Sequence, residues 1–139
     1  MPAIIPNNVK SDLIRANVNF ATDTFRVMLM TSAFTPNRDT QSKRAHISGE
    51  ASGAGYTAGG EVVPVTIAAF DFDADRQDIL LGSVSWPASS ITARYAVYYK
   101  ARGGAASADE LVFINDFGAD VTSSAGTLLL PAATLRLVD

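Results

Sequence analysis

Hydrophobic positions along this chain recur mostly at every second residue, in short runs separated by turn formers. Successive side chains of a strand leave opposite faces, so this period predicts strands with one face buried. The clearest run is 90–100. Ile91, Ala93, Tyr95, Val97 and Tyr99 fall on one side, and Thr92, Arg94, Ala96 and Tyr98 on the other. Residues 25–31 are apolar at almost every position, which predicts a strand half of it buried on both faces. Residues 62–72 predict one long strand, with Val63, Val65, Ile67 and Ala69 on one side. Pro64 has no amide donor and marks an edge or a bulge there. Residues 71–78 predict a polar turn. Further strands are expected over 79–86 (stopped by Pro87), 110–117, 127–130 and 134–138. Trp86, Tyr95 and Tyr99 are expected in the core.

Little else is periodic. Asn8 is placed to cap a short helix through Val9, Leu13 and Ala16, with Asp12 in its first turn. Residues 1–7 contain Pro2 and Pro6 and predict an extended N-terminal arm. Its Ile4 and Ile5 point to one of two fates, a frayed terminus or an arm docked on a neighbour. Residues 32–61 form the longest stretch without period and end in Gly53-Ala54-Gly55-Tyr56-Thr57-Ala58-Gly59-Gly60. A polar, glycine-rich connection of that length is usually functional or mobile.

Seven or eight short strands with almost no helix predict an all-β fold. The long 32–61 connection suits a jelly-roll-like antiparallel β-sandwich better than a tight meander. One domain over 8–139 is expected, preceded by the arm, with no internal repeat and no βαβ alternation.

Composition narrows the chemistry. Apolar residues make up 47% of the 139 positions and charged ones 18%, which argues against disorder. A net charge of −3 counts against wrapping nucleic acid and against a polybasic membrane anchor. There is no cysteine and a single histidine, His46. Thiolate metal sites, disulfides and multi-histidine metal centres are therefore excluded within the chain. No apolar run reaches the ~20 residues of a membrane helix, and no signal-type leader is visible, so an unprocessed chain is expected.

Local motifs fall short of catalysis. The 53–60 glycines lack the lysine of a phosphate loop, and Glu61 follows instead. Asp71, Asp73, Asp75 and Asp78 imitate the start of a calcium loop, but Arg76 and Gly82 stand where glycine and glutamate are needed. A solvated turn is the simpler reading. Arg38, Lys43, Arg44 and His46 form the one basic cluster, either a solvated loop or an electrostatic docking site for an acidic protein surface. Nothing around Ser42 or Ser48 resembles a nucleophile elbow. No enzyme activity and no cofactor are expected.

Several segments taken in order carry a resemblance: 23–29 (Asp-Thr-Phe-Arg-Val-Met-Leu), 31–37, 53–60, Val84-Ser85-Trp86-Pro87, 91–99 and Phe117-Gly118. Together they resemble capsid cement, or decoration, proteins of tailed bacteriophages. The resemblance implies a jelly-roll-like sandwich on the outer capsid surface of a virion, assembled in the host cytoplasm. There it would clamp subunits of the major capsid protein and pair with itself, a homodimer before a trimer, with no nucleic acid, membrane or small-molecule partner. The expected contact residues are Ile4, Ile5 and Pro6 of the arm and Arg38, Lys43, Arg44 and Tyr56 of the long loop. The alternative is a glycan- or receptor-binding β-sandwich of a phage fibre or tail, using an exposed aromatic such as Trp86.

Overall fold

The computed structural model describes residues 3–138. Its strands are β1 (Ala3–Ile4), β2 (Phe25–Met30), β3 (Glu61–Val63), β4 (Val65–Ile67), β5 (Arg76–Leu81), β6 (Val84–Ser89), β7 (Thr92–Lys100), β8 (Leu111–Thr122), β9 (Gly126–Leu130) and β10 (Ala133–Val138). One helix, α1 (Asn8–Ile14), follows β1. The strands form an antiparallel β-sandwich, the expected class. One layer is a five-stranded sheet in the order β1-β8-β7-β2-β3. The facing layer holds a three-stranded sheet, β10-β5-β4, and the pair β6-β9.

Alternation builds the core between the layers. Phe25, Val27 and Leu29 of β2, Ile79 and Leu81 of β5, Trp86 of β6 and Leu135 of β10 meet there, all buried. The other face of β2 is covered as well. Met28 and Met30 join Val97, Tyr99, Leu111 and Ile114 in a second cluster, closed over by Phe34 and Ile47 of the chain that follows β2. The continuous apolar run of β2 is thus a strand packed on both faces, as its sequence indicates.

The predicted long strand over 62–72 is two strands in different sheets. β3 is the edge of the five-stranded sheet and β4 the edge of the three-stranded one, with Pro64 between them. Having no amide to donate, Pro64 sits where the chain leaves one ladder for the other, and its carbonyl accepts the Gly82 N–H at 2.7 Å. The strand expected over 79–86 is likewise divided, into β5 and β6. Pro87 does not end β6 but lies inside it, where the β6–β9 register shifts between Trp86 and Ser89. In β7 the alternation slips by one at Arg94. Ala93 faces the main core while Tyr95 packs on the second cluster, because the β7–β8 register breaks between them. Ile91 and Ala93 therefore do not share a side with Val97 and Tyr99.

The N-terminal segment is a strand of this chain's own sheet. Ala3 pairs with Asn115 and Ile4 with Ile114. Ile4 packs on the second cluster and Ile5 on the main core, and Pro6 is buried. The part of the predicted arm at Met1 and Pro2 lies outside the described residues. α1 forms where a short helix is expected, but its details differ: Asn7, not Asn8, holds the cap position and makes no side-chain cap bond, Asp12 falls after the first turn, and the helix stops at Ile14, since Ala16 stands at φ +59°. Asn8 donates both to the Asp12 carboxylate (2.7 Å) and to the Leu111 carbonyl (3.1 Å), tying the helix to β8.

Candidate interaction surface

Of the residues singled out in the long connection, Tyr56, Lys43, Arg44 and His46 are held by the domain itself. Tyr56 is half-buried. Its hydroxyl donates to Glu50 Oε2 at 2.6 Å and accepts the Leu29 N–H at 3.0 Å. Burial, and then the bond to Glu50, push its phenol well above the ordinary tyrosine value. Glu50 Oε2 also accepts the Gly59 N–H, and Tyr99 donates to the Gly59 carbonyl. At Gly60 the chain runs at φ +77° against β2, where a Cβ would overlap the Val27 carbonyl oxygen. Gly53, Gly55 and Gly60 thus serve close approach to neighbouring backbone, at Ser90, Ser89 and Val27.

Lys43 and Arg44 join a charged cluster at the end of β7 and β8. Arg44 Nε donates to Asp109 at 2.8 Å, and its guanidinium stacks 5.1 Å from the Tyr99 ring centroid. Arg102 grips Glu110 with two bonds of 2.9 and 2.8 Å, and Lys43 stands 3.7 Å from the same carboxylate. Burial alone would raise Glu110. The Arg102 bonds and the Lys43 charge outweigh it and hold the carboxyl below its usual range. His46 accepts the Ser42 and Lys43 N–H groups on Nδ1, at 3.1 and 3.2 Å, which staples this turn. Arg38 alone of the four basic loop residues has no side-chain bond among the described residues, and it is exposed.

Asp71 closes its turn by accepting the Asp73 and Ala74 N–H groups, both at 3.0 Å, and stands 3.6 Å from Arg76. Among the described residues no group of three potential ligands is arranged for a metal ion.

The surface left without an internal role lies at one side of the sandwich. Phe72 is 82% exposed and meets Phe70 edge to face at 4.9 Å between ring centroids. Ile67 at the free edge of β4, Ile14 of α1 and Val138 of β10 are exposed as well. Three adjoining hollows, all sharing Leu137, take in Ile67, Phe70 and Val138. One takes in Phe70 and Val138, the next Leu13, Phe20 and Ile67, and the third Ile5, Val9 and Leu13. Sequence reading missed this surface. Ile67 follows the inward parity of β4, as Ile79 and Leu135 do beside it in register, yet it stays open because β4 is an edge strand.

No family model, curated protein or solved structure matches this chain.

Proposed function

We propose that this chain is a structural virion protein that decorates the outside of a phage capsid, clamps neighbouring major capsid subunits and pairs with itself. Two things support the reading. One is the resemblance of the ordered segments from 23 to 118 to phage cement proteins. The other, which carries it, is the apolar surface of Ile67, Phe70, Val138 and, packed on Phe70, Phe72 around connected hollows. Contiguous exposed apolar area on a small domain marks a place that another macromolecule covers. Many identical copies on one shell let modest contacts act together.

The glycan-binding alternative drew on Trp86, whose ring is 1% exposed in the core and offers no stacking platform. The capsid reading is preferred for that reason.

The test is co-sedimentation of the purified protein with expanded, undecorated heads. Wild type is expected to saturate discrete sites and raise the temperature at which heads release DNA. Phe72→Asp is expected to keep its fold and to lower head affinity at least tenfold. Wild type that stays in the supernatant overturns the proposal, as does full occupancy by Phe72→Asp.

A further inference from the structure

We propose that the hollow between the N-terminal segment, α1 and the end of β10 receives an acidic peptide segment carrying an apolar side chain, contributed by a partner protein. The inference deepens the capsid reading and rests on it for the identity of that partner. The hollow has a volume of about 350 Å³. Ile5, Val9, Leu13 and Leu137 are its apolar floor, and Lys10, Arg38 and Arg136 stand around it.

The cations decide the occupant. Of the eleven lysines and arginines, nine spend their side chains on internal bonds or ion pairs. The remaining two, Lys10 and Arg38, have no side-chain partner among the described residues, and both line this one hollow. Arg136 is held by Asp78 with bonds of 2.8 and 3.0 Å and adds no net charge beyond that pair. The acids next in sequence to these cations are tied to amides: Asp39 accepts from Asn7 Nδ2 at 2.6 Å, and Asp12 accepts from Asn8 and Asn17 Nδ2 at 2.7 and 3.3 Å. A chain of net charge −3 therefore presents an apolar slot flanked by two uncommitted cations. That combination attracts an anion whose neighbouring group is apolar, and it repels a basic segment. Ile5 reaches the slot from the residue after β1 and Arg38 from the long connection, so positions 33 residues apart in sequence build one site.

The test uses the full ¹⁵N-labelled chain. It is titrated with a capped hexapeptide of alternating aspartate and leucine, with its lysine–leucine counterpart and with dodecanoate. The aspartate peptide is expected to move the amide signals of Lys10, Leu13, Arg38 and Leu137. The double variant Lys10→Glu, Arg38→Glu, with both changes at exposed positions, is expected to keep the wild-type spectrum elsewhere and to bind at least tenfold more weakly. Equal binding of the lysine peptide, undiminished binding by the double variant, or saturation by dodecanoate alone overturns the inference. If heads bind while the aspartate peptide does not, this inference fails and the capsid reading stands. If the peptide binds and heads do not, the reverse holds.

Discussion

The Tyr56 hydroxyl donates to the Glu50 carboxylate at 2.6 Å while accepting the Leu29 amide at 3.0 Å. One phenol thus ties the glycine-rich end of the long connection to the middle of β2. Replacing it with phenylalanine would strip a partner from a half-buried carboxylate and from the amide of a fully buried residue. Tyr56→Phe is expected to cost about 2 kcal/mol. Urea unfolding followed by the single buried tryptophan, Trp86, measures it. A loss below the error of the extrapolation would mean that the latch contributes nothing.

Tyr98 is the opposite case. Its ring is fully buried against Phe113, and its hydroxyl has no hydrogen-bond partner among the described residues. Tyr98→Phe removes that unmet polar group and keeps the packing, so stability should stay level or rise by about 1 kcal/mol. A clear destabilisation would reveal a partner for the hydroxyl.

Burial also sets the alkaline limit. It pushes the Tyr98 phenol from 10.0 up to about 12, and it raises Tyr99 and Tyr56 as well. A phenol raised in the folded state favours the fold fully below pH 10 and loses that contribution as pH climbs through its folded value. Absorbance titration should show these three tyrosines silent near pH 10 and ionising together as the chain unfolds at higher pH. Reversible ionisation of all tyrosines near pH 10, with the fold intact, would contradict this.

The acid limit runs through Glu110. Its carboxyl lies below the ordinary value of 4.5, because Arg102 and Lys43 outweigh its burial. A carboxyl lowered in the folded state stabilises fully above 4.5, and that contribution is lost as pH falls through the lower folded value. Arg102→Met should therefore narrow the acid range and move the acid unfolding midpoint upward. At neutral pH it should destabilise less than breaking a fully buried pair would, because much of Arg102 remains in water. An unmoved acid midpoint would show that Lys43 suffices.

What could be read without coordinates was whatever depends on neighbours along the chain. Period-two alternation marked β7, because side-chain direction in a strand is a local property. Pro64 marked a break, because a missing amide is local too, although only the sheet order shows that it separates two ladders. The continuous apolar run of β2 announced two covered faces and left open what covers the second. Tertiary structure supplied that answer in Phe34 and Ile47 of the long connection. It also turned Ile4 and Ile5 onto this chain's own sheet, and joined Arg44 to Asp109 across 65 positions. Those outcomes depend on which distant surfaces meet, and loop closure over tens of residues leaves no local trace in composition or period. The exposed apolar side at Ile67, Phe70 and Phe72 belongs to the same class. Ile67 looks like core in the sequence, and the position of β4 at the end of its sheet leaves it open, while Phe70 and Phe72 stand exposed in the connection between β4 and β5.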